Sequence, residues 1–224
     1  APVLALQVPN NAVAISSPNL NFFLNENLAS GIIIYERTSG VNDPDSPHEV
    51  ALMGVELSAG DRNAATLTNS PTLVNGASYR ITLKGIDAAG NAGEPVNLSG
   101  ILYDAVQPVI SLSLPGAESF INKLDIAYSL SETLTKATAT WTQTGGNPDP
   151  QSPRIIELTI PEMGEGDRSN ILTNQVMLSD GAIYTLSMAG SDAAGNEAAI
   201  VTADNINYDV TRPQFSNISP SEGY

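Results

Sequence analysis

The chain has 224 residues, a net charge of −15, a sequence pI near 4.1 and no cysteine. An acidic surface of this kind repels phosphate backbones and disfavours nucleic-acid binding. The missing thiols exclude a disulfide scaffold and thiolate metal sites, and no run approaches the roughly 18 apolar residues of a membrane helix.

Short runs rich in Val, Ile, Thr, Leu and Tyr alternate with clusters of Gly, Pro, Asn, Asp and Ser, the pattern of an all-β sandwich or barrel. In chain order the first strands are predicted near 3–8, 19–24, 30–38, 49–57, 65–68, 77–85 and 95–103. A second set follows near 109–114, 124–130, 135–143, 154–160, 168–172, 182–190 and 199–208. The second set repeats the first. Gly85-Ile86-Asp87-Ala88-Ala89-Gly90-Asn91 returns 105 residues later as Gly190-Ser191-Asp192-Ala193-Ala194-Gly195-Asn196, and Tyr103-Asp104 before Pro108 returns as Tyr208-Asp209 before Pro213. A fixed period of this kind marks tandem copies of one unit. Seven short strands per copy predict two tandem immunoglobulin-like (fibronectin III-like) antiparallel β-sandwiches. The predicted division is repeat 1 over 1–107, repeat 2 over 108–213 and a truncated third copy from 214 to 224. The third copy is expected because Ile218-Ser219-Pro220 echoes Leu112-Ser113-Leu114-Pro115, so the chain reads as part of a longer array.

Two details sharpen the fold. Leu73-Val74-Asn75-Gly76-Ala77-Ser78-Tyr79 repeats as Leu178-Ser179-Asp180-Gly181-Ala182-Ile183-Tyr184. A Leu, a turn with Gly and a Tyr opening a long strand predict a tyrosine corner, with the phenol bonded back to upstream backbone. Trp141 and its counterpart Tyr35 fall on the predicted third strand, where a large aromatic anchors the core.

The residues make a thin case for an enzyme. His48 is the only histidine and its counterpart is Arg154. It reads as a surface residue in a Pro-rich turn. Asp43, Asp45 and Asp149 read as turn formers beside proline. No nucleophile elbow, phosphate loop or zinc spacing is present.

The repeated oxygen ligands carry more. Asp87 and Asp192 lie with Asn91 and Asn196 in the Asp-Ala-Ala-Gly-Asn loop, Asp104 and Asp209 in the linkers, and Glu26 and Glu132 after the second strand of each copy. Sandwich topology sends the loops after the second and sixth strands to the pole where the chain comes in. Asp104, Glu132, Asp192 and Asn196 are therefore expected to converge on one junction, with Asp87, Asn91, Glu26 and Asp209 in the equivalent positions. Hard oxygens suit calcium. The same loop also makes a good tight turn, with Asp bonding its own backbone and Gly-Asn at positive φ, and both readings stand at this point.

The Asp-x-Ala-Gly-Asn loop followed by a Tyr-Asp-x-Thr-x-Pro linker resembles the Ig-like repeats of giant bacterial surface adhesins and of other large secreted bacterial proteins. Tyr208-Asp209-Val210-Thr211-Arg212-Pro213 fits the linker pattern, whereas Tyr103-Asp104-Ala105-Val106-Gln107-Pro108 lacks the Thr. The resemblance implies a non-catalytic, extracellular spacer that calcium stiffens between neighbouring repeats of one chain. Its cell-surface or matrix ligand is not readable. Two other readings remain beside it: an accessory or ligand-binding module of a secreted polysaccharide-active protein, and a subunit of a surface filament.

Overall fold

The computed structural model describes residues 1–65 and 67–215, and almost every regular element in it is a strand. The first copy runs β1 (Leu4–Val8), β2 (Ala14–Ile15), β3 (Leu20–Leu24), β4 (Leu28–Gly40), β5 (His48–Ala51), β6 (Gly60–Ala65), β7 (Ala77–Asp87) and β8 (Val96–Tyr103). The second runs β9 (Ile110–Leu114), β10 (Phe120–Ile121), β11 (Asp125–Leu130), β12 (Lys136–Gly146), β13 (Arg154–Glu157), β14 (Gly166–Ile171), β15 (Ala182–Ser191) and β16 (Val201–Tyr208). In the first copy β1-β3-β6 form one sheet and β2-β8-β7-β4-β5 the other; in the second, β9-β11-β14 face β10-β16-β15-β12-β13. The protein is therefore two tandem Ig-like sandwiches. Chain contacts divide it into two compact units, Ala1–Gln107 with Ser191–Glu197, and Pro108–Gly190 with the chain from Ala198 onward.

Alternation builds each core. Along β7 every second residue from Ala77 to Asp87 is buried, and β15 alternates in the same way through Met188. In the first sandwich Leu20, Phe22 and Leu24 meet Ile33, Tyr35, Tyr79, Ile81 and Ile101 across the sheets. In the second, Trp141 is fully buried among Ile126, Tyr128, Leu130, Tyr184 and Leu186. Its ring stands edge-on to that of Tyr184, centroids 6.2 Å apart and planes at 90°, a favoured aromatic geometry.

Three local features depart from the predicted strands. Among the described residues each copy has eight strands, because the extra two-residue β2 and β10 pair parallel to β8 and β16. The strand predicted over 49–57 stops at Ala51, and a 3-10 turn occupies Gly54–Leu57; its counterpart spans Ile160–Met163. Glu56 explains the stop: its carboxylate accepts the Met53 and Thr68 amides, at 2.7 and 2.6 Å. Glu162 does the same for Thr159 and Thr173, both at 2.6 Å. The strand expected at 65–68 lies earlier, at β6, since Thr68 is held by that glutamate. The two 3-10 turns are the only helical elements among the described residues, and no helix there is long and apolar enough to cross a membrane. Most of the proposed third copy lies outside the described residues.

Candidate functional site

The tyrosine corner is deeper than the sequence pattern indicates. Tyr79 and Tyr184 are fully buried. The Val74 amide donates to the Tyr79 hydroxyl at 2.9 Å, and the Ser179 amide donates to the Tyr184 hydroxyl at 2.9 Å. Each hydroxyl then donates onward to a buried carboxylate, Tyr79 to Asp43 Oδ2 at 2.6 Å and Tyr184 to Asp149 Oδ2 at 2.8 Å. Asp43 and Asp149 are 6 % and 5 % exposed, so they are interior anchors as well as turn residues. His48 is likewise no plain surface residue: its Nε2 lies 2.7 Å from Asp43 Oδ2. In the second copy Arg154 takes that place with both Nε and Nη2 on Asp149, at 3.2 and 2.8 Å.

The electrostatics follow from those contacts. Burial pushes the Tyr79 phenol up to about 12. The Arg154 guanidinium holds the Asp149 carboxyl below its ordinary range against its burial, with help from the Tyr184 hydroxyl. Burial acts to raise Asp43, and the hydrogen bonds from Tyr79 and His48 outweigh it. The sequence signal for this network is the repeated Asp before proline, followed five residues on by His or Arg. Spacing alone does not show that these turns fold back under the tyrosine.

The Asp-Ala-Ala-Gly-Asn loops are built alike. In the first copy Asp87 Oδ1 accepts the Ala89 and Asn91 amides, both at 2.9 Å, and Asn91 Nδ2 donates to Asp87 Oδ2 at 2.8 Å. In the second Asp192 Oδ1 accepts the Ala194 and Asn196 amides at 2.8 and 2.9 Å, and Asn196 Nδ2 donates to Asp192 Oδ2 at 2.8 Å. The Asn91 side chain and amide hold the Asp87 carboxyl below its ordinary range. Gly90 and Gly195 close the turns at φ +85° and +84°, which L side chains rarely adopt.

Within the unit that joins Ala1–Gln107 with Ser191–Glu197, Asn196 Nδ2 also donates to the Asp104 carbonyl at 2.9 Å. The Asp104 and Asp192 carboxylates offer oxygens within 4.8 Å of each other. Asp104 Oδ1 meanwhile accepts the Val106 amide at 3.1 Å. Asn196 thus spends its nitrogen on orienting its neighbours. Glu132 is half-buried in the other unit, after β11, and Glu26 occupies the same position after β3. Asp209 is exposed and accepts the Thr211 amide at 2.9 Å.

No family model matches the chain, and no curated protein does. Solved structures of similar shape include the fibronectin(III)-like modules of Clostridium thermocellum CbhA, at 10% identity and a TM-score of 0.45, covering 96% of this chain and 100% of that one. The FN1–FN3 domains of chicken CNTN1 match at 11% identity and a TM-score of 0.49, covering 93% and 67%. The Streptomyces avermitilis alpha-L-rhamnosidase complexed with L-rhamnose matches at 12% identity and a TM-score of 0.32, covering 91% of this chain and 24% of that one.

Proposed function

We propose that this chain supplies structural Ig-like repeats to an extracellular array of a bacterial surface protein, an adhesin-type spacer that calcium stiffens between neighbouring repeats. The observation that carries the reading is the duplicated loop in which Asn orients Asp, together with the Asn196 bond to the Asp104 carbonyl. Two carboxylates so close repel each other unless a cation lies with them. Calcium takes six to eight hard oxygens, and the chemistry of Asp104 and Asp192 fits that need, with Glu132 as the further carboxylate expected from topology. Asn196 would set the orientation of the Asp192 carboxylate. The role is non-catalytic: the chain contributes length and stiffness, and calcium favours the extended arrangement by binding it more tightly than bent ones.

Small-angle scattering and calorimetry on residues 1–213, in calcium and in chelator, test this. A saturable calcium heat with a larger maximum dimension is expected, and Asp192→Asn should abolish both. An unchanged dimension and no heat would leave these residues as turn formers.

A further inference from the structure

The segment behind each sandwich is fastened to that sandwich by a carbonyl of β2 or β10 and by one side chain of the turn before β7 or β15. Behind β8, the Asp104 amide donates to the Ile15 carbonyl at 2.9 Å, the Ala105 amide to Asn75 Oδ1 at 2.7 Å and the Val106 amide to Asp104 Oδ1 at 3.1 Å. Behind β16 the order is the same: Asp209 to the Ile121 carbonyl at 2.9 Å, Val210 to Asp180 Oδ1 at 2.7 Å and Thr211 to Asp209 Oδ1 at 2.9 Å. Two of the three amides are thus satisfied by the sandwich that precedes the segment, and the third by the Asp that opens the segment. The turn that supplies Asn75 or Asp180 is itself tied to the strand end, since the Gly76 and Gly181 amides donate to the Tyr103 and Tyr208 carbonyls, both at 2.8 Å.

We propose that Asn75 and Asp180 are linker-clasping residues, which make residues 104–106 and 209–211 rigid extensions of their own sandwiches. Backbone rotation is then confined to Gln107 and Arg212, each followed by a proline whose ring fixes its own φ. The proposal rests on the spacer reading for its purpose and needs no metal. The two clasps differ in strength. Asp180 is a carboxylate and takes a second donor, the Thr211 hydroxyl, at 2.6 Å on Oδ2; Asn75 is neutral, and the residue in the position of Thr211 is Val106, which has no hydroxyl. Bonds to a charged acceptor are stronger than neutral ones. The Thr of the Tyr-Asp-x-Thr linker thereby gains a role as the second donor to the clasp, and its absence from the first linker goes with Asn in place of Asp.

The test is 15N relaxation and amide exchange on the full chain in chelator. Residues 209–211 should show backbone order parameters near about 0.85, as in rigid structure, rather than below about 0.6. Asp180→Ala should speed exchange of the Val210 amide at least about tenfold and leave the Leu186 amide, inside β15, unchanged. Should that variant misfold, Thr211→Val removes the hydroxyl alone, and the order parameter at 211 should drop. Asn75→Asp combined with Val106→Thr should slow exchange at Ala105. Order parameters below about 0.6 at 209–211 in the wild type, or Val210 exchange indifferent to a folded Asp180→Ala, overturn the clasp. Either result would leave calcium-dependent scattering untouched, and the absence of a calcium effect would leave these amide signals untouched.

Discussion

The phenol of Tyr184 has two partners inside the second sandwich, the Ser179 amide and the Asp149 carboxylate. Tyr184→Phe keeps the ring, takes the acceptor from the Ser179 amide and leaves Asp149 with Arg154 but without the phenol. A loss of about 1–3 kcal/mol is expected in urea unfolding; a change within error would show that the corner is packing alone. Asp149 adds a pH dependence with a definite sign. Its carboxyl is held low in the folded state, first by Arg154, so its contribution is complete above the ordinary carboxylate value of about 3.9 and fades as pH falls through the lower folded value. Stability followed from pH 6 to pH 2 should therefore decline less steeply at the acid end in Asp149→Asn than in the wild type. Equal slopes would remove Asp149 from the acid response.

Glycines at the element ends separate two physical costs. Gly195 has φ +84° and open space where a Cβ would stand, so Gly195→Ala meets only the left-handed backbone penalty, about 1–2 kcal/mol. Gly146, at the end of β12, has φ +70° and would drive its Cβ into the Gly181 carbonyl and the backbone of Ala182. Gly146→Ala should thus lower the thermal midpoint distinctly more than Gly195→Ala. The same close approach recurs at Gly40, which faces the Gly76 carbonyl. It lets the end of β4 or β12 run tight against the turn that carries the linker clasp, where the Val41 and Asn147 amides donate to the Gly76 and Gly181 carbonyls at 3.0 and 2.9 Å.

At the scale of the whole molecule, the charge of −15 is spread over both copies, ten acids against four bases in residues 1–107 and thirteen against five in 108–213. Among the described residues, Arg154 is bound to Asp149, and the Arg80–Glu36 pair is solvent-exposed and worth little. Self-repulsion of this kind is screened by salt, over about 30 Å at 0.01 M but only about 3 Å at 1 M. Sodium chloride in that range should raise the thermal midpoint with calcium absent, and a falling midpoint would mean that attractive pairs dominate.

The sequence by itself determined the all-β class and the duplication, because both are local signals: a period of 105 residues and side chains alternating along Ile183 to Met188. It also placed the tyrosine corner, since Leu, Gly and Tyr hold fixed positions around one turn. The buried partners of that tyrosine were settled only by the tertiary structure. Asp43 and Asp149 lie 36 and 35 residues from Tyr79 and Tyr184, and nothing in a Pro-rich turn shows that it folds inward. The end of β5 at Ala51 was likewise illegible, because the carboxylate that caps the next turn also binds Thr68, across a stretch with no periodicity. The clasp residues stood in the repeated motif, but as turn formers. Only the fold brings Asn75 to Ala105, and Asp180 to Val210 and Thr211, 30 and 31 residues along the chain. Local periodicity is written in neighbouring residues, whereas contacts between distant turns depend on how the two sheets close on each other.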